Sequence, residues 1–429
     1  MFRSLQILLI ILFALLSVSP IQAIEVPMLD ATLHGFVDGR YGQRLQNDAT
    51  QRDDSLAETR LQLGLSRMGD LTSLQLRADF YYDDLVGQHD IDLEEGRGWI
   101  DLREANLLAS PLEMMDLKVG RQILTWGTGD LLFINDLFPK DWQSFFIGRD
   151  EEYLKAPSDA LFLSLFPESF NIDLVYTPRF DPDRYIRGER LSYWNPLLGR
   201  IAGRDAIVAT AVPDEWFDDD EFALRLSKNV SGYELAFYGY HGFWKSPVGF
   251  DSMTSKTTFP ELTVAGASLR GNLGSGLGHA EVGYYDSRED DSGNDPLIPN
   301  SELRLLVGYE QEVLRNVTLA GQYYLEAMQD HGRYVASLAP GQPARDEYRH
   351  LLTMRLTWFM LNQNLKLSLF GYYSPSDEDL YLRPSIQYKL TDAWLMTAGG
   401  NVFTGEEDST FFGQFEKNSN LYAGLRYSF

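Results

Sequence analysis

The chain has 429 residues, 13% of them aromatic, no cysteine and a formal net charge of −25. Without cysteine there can be no disulfides, thiolate metal sites or cysteine nucleophiles, and the acidic balance argues against nucleic acid, whose phosphates require a basic face. After residue 23 no run of 18 uncharged apolar residues occurs, so the sequence predicts no membrane-spanning helix there.

Residues 1–23 have the pattern of a secretory signal peptide. Arg3 precedes an apolar core from Leu5 to Val18, and Ala23 provides a small residue for cleavage. The alternative is an N-terminal membrane anchor, but the core is short for a bilayer span of about 20 residues. We therefore expect an exported chain with one domain, residues 24–429, and a net charge of −26 once Arg3 is removed.

Polar and apolar residues alternate with period two along this domain, which predicts β-strands. Clear examples are Val317–Ala327, Leu365–Tyr373 and the final segment Asn420–Phe429. Further strands are predicted at Glu58–Arg67, Ser73–Tyr82, Glu221–Lys228, His279–Asp286 and Glu302–Glu310.

The links between the strands alternate between short and long. Nine long polar links and eight short turns predict eighteen strands, with both chain ends on the short-turn side. Sixteen strands is the alternative, because Leu102–Ala109 and Trp394–Phe403 alternate less cleanly. An even number of strands with short periplasmic turns and long outer loops is typical of outer-membrane barrels.

We therefore predict an all-β fold, a closed transmembrane antiparallel β-barrel in the outer membrane. A soluble sandwich or propeller is the alternative, but sandwiches do not usually sort their loops by length and they bury one face against a second sheet. Since a sheet in lipid must close on itself, we expect the last strand to pair with the first, near Thr32–Gly42.

The polar face of these strands would line the barrel interior. Its basic residues are Arg40, Arg60, Arg77, Arg225, Arg270, Arg304, Arg355, Lys366, Arg383, Lys389 and Arg426, and its acids are Asp38, Asp79, Asp173, Glu234, Glu281, Glu310 and Glu326. These charges can simply pair across neighbouring strands. Alternatively, the arginines form a path for an anionic solute, since guanidinium groups bind carboxylates and phosphates.

Two long connections, Ile123–Asp159 and Thr177–Asp205, are rich in aromatic residues, Arg, Asp, Pro and Gly. We expect at least one to fold into the barrel mouth as a constriction. The candidate constriction residues are Trp126, Asp130, Arg184, Arg187 and Arg190. The alternative is a packed extracellular cap held by Arg–Asp pairs.

The motif Gly120-Arg121-Gln122, followed by Trp126-Gly127 and preceded by Asp101–Leu107, resembles a signature of large bacterial outer-membrane porins. That family includes the alginate-export-like barrels and a group of porin-like proteins. The resemblance implies an eighteen-strand barrel with a polar, often arginine-rich lumen that loops constrict. It places Arg121 and Gln122 in the wall near the constriction.

The C-terminal residues Gly424, Tyr427 and Phe429 resemble the assembly signal of outer-membrane proteins. This resemblance implies recognition by the barrel-assembly machinery. The other expected partners are outer-membrane lipids and a hydrophilic solute.

These patterns predict a porin or exporter for hydrophilic, and in particular anionic, solutes. The alternative is a barrel scaffold that works with a periplasmic or surface partner in an export or assembly complex. The six histidines show no catalytic spacing with Ser or Asp, so we predict no enzyme activity. The acidic segment Asp83–Glu95 lacks the ligand order and central glycine of a calcium loop, and we predict no metal site and no cofactor.

Overall fold

The computed structural model describes residues 24–85 and 90–429. The predicted signal peptide, residues 1–23, lies outside the described residues, as do residues 86–89. Eighteen long strands dominate the structure: β1 (Ala31–Arg44), β2 (Asp54–Met68), β3 (Thr72–Asp83), β4 (Ile100–Leu112), β5 (Met115–Gln122), β6 (Ser158–Leu165), β7 (Asn171–Thr177), β8 (Glu221–Val230), β9 (Tyr233–Phe243), β10 (Glu261–Leu273), β11 (Gly276–Ser287), β12 (Glu302–Leu314), β13 (Val317–Met328), β14 (Tyr348–Met360), β15 (Leu365–Ser374), β16 (Asp379–Lys389), β17 (Trp394–Gly405) and β18 (Asn420–Ser428).

These strands form one closed antiparallel barrel. Each strand pairs with the next one in the chain, and β18 returns to β1 in the register Phe36↔Ser428 to Arg44↔Asn420. The predicted count of eighteen strands and the predicted pairing of the first and last strands are both confirmed. Links alternate in length as predicted, except that 375–378, at the long-loop end, is shorter than the turn 166–170 at the other end.

Short strands, helices and 3₁₀ turns lie in the segments that flank the barrel strands. The strand Ile24–Val26 pairs with the start of β1, and two small hairpins join Tyr193–Asn195 to Arg200–Ala202 and Gly249–Asp251 to Lys256–Thr258. The helices are α1 (Trp142–Ile147) and α2 (His331–Ser337), with 3₁₀ turns at Glu151–Leu154 and Gly413–Asn418. Among the described residues, no helix is long and apolar enough to cross a membrane.

The outer face of the barrel is apolar, as β14 illustrates. Leu352, Met354 and Leu356 are exposed, whereas Leu351 and Thr353, on the other face of the strand, are buried toward the interior. Because a closed sheet pairs its backbone groups internally, it can present such a face to lipid. The closed form and the apolar outer face are those of a transmembrane barrel of the outer-membrane type, whose short turns face the periplasm.

Residues 123–157, here called the inner loop, connect β5 to β6 and fold into the barrel. Asp141 caps α1 by accepting a hydrogen bond from the Ser144 backbone N–H (2.7 Å). Gly148 ends the helix with φ of 94°, and a Cβ there would approach Tyr422 of β18 to 2.2 Å. Glycine is therefore required both for the left-handed backbone and for the close approach to the wall.

The main hydrophobic core lies inside the barrel, between the inner loop and the wall. The Phe146 ring packs edge-on against Tyr381 of β16 (5.4 Å between ring centroids) and Phe403 of β17 (5.2 Å). Tyr381 in turn stacks on Phe403 at 4.3 Å. Further buried members of this core are Ile134, Phe138, Phe145, Ile147, Leu154, Tyr240, Tyr285, Leu306, Tyr324, Leu351, Phe370 and Tyr372. At the level of α1, packed aromatic side chains therefore occupy the interior along much of the wall.

Candidate functional site

One wall carboxylate holds the start of the inner loop. Glu281 of β11, which is buried, accepts hydrogen bonds from the Gly129 backbone N–H (2.8 Å) and the Thr128 hydroxyl (2.9 Å). It also accepts from the Thr128 N–H and, through its second oxygen, from the Asn135 side-chain amide (2.8 Å) and backbone N–H (3.3 Å). Glu281 thus satisfies several donors that would otherwise be buried without partners.

The next residues of the loop are held by the neighbouring part of the wall, on β13, β14 and β15. Asp130 forms a two-pronged ion pair with Arg355 of β14, at 2.6 and 2.8 Å, and its backbone exchanges two hydrogen bonds with Gln322 of β13. The Tyr372 hydroxyl donates to the Leu131 carbonyl at 3.0 Å. The structure therefore brings the predicted constriction residue Asp130 together with the predicted lumen residue Arg355.

After α1, the loop meets a charged sector of the wall on β1 and β18. Asp150 pairs with Arg40 (2.7 Å) and with Arg426, and Asp38 pairs with the same two arginines at 2.9 and 3.0 Å. Burial disfavours the charged form of Asp150, but the charges of Arg40 and Arg426 outweigh it and lower the pKa of this carboxyl.

Glu151 makes similar contacts with another sector of the wall, on β14 and β16. Its carboxylate lies 3.2 Å from Arg355 and 3.9 Å from Arg383 of β16. Burial again opposes ionisation, and Arg355 and Arg383, with a smaller contribution from Lys366, lower the pKa of Glu151. The contacts of Asp150 and Glu151 were not predicted from the sequence, although three adjacent acids, Asp150 to Glu152, next to a basic interior were a usable signal.

Arg60 of β2 lies at the centre of a buried ion cluster. It binds Glu58 (2.8 Å) and Asp79, and its guanidinium lies over the ring of Tyr153 at 4.2 Å. Arg149 of the inner loop also pairs with Glu58. Here an arginine predicted for the lumen holds the inner loop against the wall.

Three further arginines predicted for the lumen also have carboxylate partners. Arg77 pairs with Glu104 at 3.0 Å, Arg225 with Asp173 at 3.4 Å and with Glu234, and Arg304 with Glu302. This arrangement favours the first sequence interpretation, in which opposite charges pair across strands.

Residues 178–220, here called the outer cap, connect β7 to β8 and cover the mouth. Arg184 forms ion pairs with Asp101 (2.8 Å) and with Asp141 next to α1. The remaining two predicted constriction arginines are paired as well, Arg187 with Glu95 and Arg190 with Asp83. The fifth predicted residue, Trp126, packs edge-on against Phe138 (4.9 Å) and beside Tyr238 (6.1 Å).

Arg121 and Gln122 lie at the top of β5. Arg121 pairs with Glu94 (2.8 Å) and Asp159 (3.1 Å), while the Gln122 amide donates to the Ala160 carbonyl at 2.9 Å. Carboxylate oxygens of Glu94, Asp159 and Asp181 lie within 4.8 Å of one another.

Arg121 and Arg179 occupy part of this acidic group, because both pair with Glu94. Asp181 is buried, and burial, followed by the charge of Glu94, raises the pKa of its carboxyl to about 8. A proton on Asp181 near neutral pH therefore relieves the remaining repulsion.

Two of the cavities beside the inner loop have room for a small molecule. One of about 510 Å³ lies against β2–β4 and is lined by polar residues that include Gln62, Arg77, Arg103 and Glu151. The second, of about 210 Å³, lies between the inner loop and β12–β15 and is mostly aromatic.

No protein-family model and no curated protein sequence matches the chain. Solved structures do. OccAB3 of Acinetobacter baumannii superposes with a TM-score of 0.54 at 11% identity, over 93% of this chain and 99% of that one. OccD3 (OpdP) of Pseudomonas aeruginosa gives 0.52 at 11% identity, over 96% and 94%. OccK3 (OpdO) of the same organism gives 0.53 at 10% identity, over 93% and 96%. At this identity the likeness concerns the fold, a closed eighteen-strand barrel of the porin type, and it does not single out an alginate-export-like subgroup.

Proposed function

We propose that the protein is an outer-membrane channel for hydrophilic solutes that the inner loop holds closed. The observation that carries the proposal is the position of this loop inside a porin-type barrel, with different contacts along its length. At α1 the contacts are mostly apolar, as with Phe146 on Phe403 (5.2 Å). Just after α1 they are ion pairs, of Asp150 with Arg40 and Arg426 and of Glu151 with Arg355.

This asymmetry suggests where a solute passes. Water and a charged solute can replace the partners of an ion pair, whereas moving α1 away from its aromatic partners exposes apolar surface to water. The segment that must move carries Asp150 and Glu151. When these carboxylates move away, they leave uncompensated positive charge on the wall, so we propose that the open channel prefers anions.

Single-channel conductance in a planar bilayer, with a salt gradient across it, tests both parts of the proposal. We expect channel openings with a reversal potential of the sign expected for anion preference. Neutralisation by Arg383→Gln should shift that potential toward cations, because Arg383 faces the segment around Glu151. The matched control is Arg333→Gln, which removes an exposed charge on α2.

An unchanged reversal potential in Arg383→Gln would refute the anion path while leaving the channel intact. Charge reversal of Arg121, Arg187 and Arg190 then tests whether residues at the mouth control channel opening or ion selectivity. These arginines are paired at the mouth, so we expect their reversal to alter opening frequency more than selectivity.

The second candidate function is a barrel scaffold that binds a periplasmic or surface partner. The extent of the apolar core between the inner loop and the wall favours it, because such a core resembles a permanent seal. It predicts that the purified barrel stays silent in the bilayer even when the inner loop is loosened.

A further inference from the structure

We propose that the aromatic cavity between the inner loop and β12–β15 binds a small uncharged aromatic alcohol, of which phenol is the simplest member. This inference rests on the proposed function, since it identifies a class of solute that the channel would admit from its long-loop side.

The shape and lining of the cavity suit one aromatic ring. Its volume is about 210 Å³, and an apolar cavity of about 150 Å³ takes up benzene. The walls include Leu132, Trp142 and Phe145 of the inner loop, and Tyr372 and Phe412 opposite them. These side chains offer ring faces and edges on several sides of a guest ring, the contacts that aromatic pairs prefer.

Polar groups at the edge of the cavity determine the head group. Glu326 of β13 lies between Arg304 of β12 (4.0 Å) and Arg349 of β14 (3.4 Å). Both arginines have a second carboxylate partner, Glu302 for Arg304 and Asp377 for Arg349. An anionic or cationic head would have to break one of these ion pairs, whereas a hydroxyl can donate to a carboxylate and accept from a guanidinium beside it.

The wall itself contains an example of this contact. The phenolic hydroxyl of Tyr324 donates to Glu326 at 2.7 Å. A carboxylate has about four lone-pair positions, so Glu326 can accept a second hydroxyl without losing the first.

The position of the cavity fits entry from the long-loop side. Arg304 and Arg349 are within three residues of the long-loop ends of their strands. The cavity is also bounded by Phe411 and Phe412 of the loop between β17 and β18. The floor consists of inner-loop residues 131–133, 142, 145 and 146, so a bound ring would rest on the aromatic part of the loop, a few residues before the segment proposed to move.

Titration calorimetry with phenol on the purified barrel tests the proposal without relying on conduction. Leu132→Trp should fill the cavity and weaken phenol binding at least tenfold. Its matched control is Leu137→Trp, the same change in the same loop, at a residue that faces a separate gap beside Trp126. Phenol also partitions into the detergent, but it does so equally for the wild type and both variants, so this contribution to the heat cancels in the comparison.

Saturable binding in the wild type and in Leu137→Trp, with loss in Leu132→Trp, would support the site. Absence of saturable binding in the wild type would overturn it, and so would equal affinity in the two variants. Benzoate and benzylammonium examine the head group on the wild-type protein. Binding of either as tight as that of phenol would overturn the assignment of an uncharged hydroxyl. A silent channel that still binds phenol would refute the proposed function alone.

Discussion

Glu281→Ala is the change that most directly tests whether the inner loop closes the barrel. The Glu281 carboxylate accepts hydrogen bonds from Thr128, Gly129 and Asn135, which together provide three backbone N–H groups, one hydroxyl and one amide. Alanine removes the acceptor and leaves these donors beside the wall of β11. The start of the inner loop then loses this anchor and keeps the polar contacts of Asp130 with Arg355 and Gln322.

The expected energy follows from the strength of such bonds. A hydrogen bond to a charged group contributes about 1.5–3 kcal/mol. Water can enter and replace part of the lost contacts, so we take the equivalent of two bonds, about 4 kcal/mol. Since 1.4 kcal/mol corresponds to a factor of ten, the ratio of closed to open loop should fall about a thousandfold.

Single-channel recording of purified protein measures this ratio as open probability. We expect rare openings in the wild type and long-lived openings in Glu281→Ala at the same applied voltage. The control is Glu310→Ala on the adjacent strand β12. Glu310 is exposed toward the interior and pairs in register with Leu277. It has no hydrogen bond to the inner loop among the described residues.

Two results would refute the reasoning. If Glu281→Ala and Glu310→Ala both behave like the wild type, the inner loop is not held by this carboxylate. If the wild type is already open with a large, steady conductance, the inner loop does not close the channel.

Three further predictions concern packing, pH and assembly. Phe146→Ala should lower the free energy of unfolding by about 3–5 kcal/mol and raise the open probability of the channel. Phe411→Ala, at a half-exposed ring, should do neither. Thermal unfolding measures the first effect and single-channel conductance the second. Because the pKa of Asp181 is raised from 3.8 to about 8, stability should fall as pH rises between these values and level off above them. Asp181→Asn should flatten that dependence in thermal unfolding from pH 6 to 9, and an unchanged slope would contradict it. Deletion of Phe429 should slow assembly in cells severalfold, while the purified protein still refolds in detergent. The control Leu425→Ala should leave the folded fraction on a gel unchanged. Equal effects of the two changes on assembly in cells would count against an assembly signal.

The barrel could be predicted because its determinants are local and repeated. Period-two alternation and the sorting of links into short and long require no knowledge of distant contacts. Closure then followed from the cost of unpaired backbone groups in lipid, which leaves the last strand only the first as a partner. The pairing of Gly39 with Leu425 and of Tyr41 with Ala423 is the result.

The two strands with unclear alternation have distinct physical explanations. In β4 a bulge places Arg103 between the pairs Arg77↔Glu104 and Ala78↔Leu102, so that Arg103 and Glu104 are both buried. An extra residue interrupts period two, and sequence alone does not show on which strand it lies. In β17 the register does not shift, and alternation is weak because the inward face carries the apolar Phe403, which packs in the interior core, while the outer face includes Gly400.

The sequence predicts which residues line the interior, but it does not predict which of them form ion pairs with one another. Which carboxylate neutralises Arg355 depends on a loop that begins more than 200 positions earlier in the chain, since the partner is Asp130. The same holds for Arg426 and Asp150. Alternation identifies which side chains face inward, whereas the path of a long loop depends on the sum of its contacts with the whole wall.

These long-range pairs also explain how an arginine-rich lumen is compatible with a strongly acidic chain. Loop carboxylates neutralise wall arginines, so the charge of the interior depends on where the inner loop lies. With Asp150 and Glu151 in place, Arg40, Arg355 and Arg426 are compensated, and the interior is close to neutral at this level. Moving the loop aside uncovers the same arginines toward the lumen. In the proposed channel, opening and anion preference are therefore one event, because the state that conducts is the state in which these arginines are uncovered.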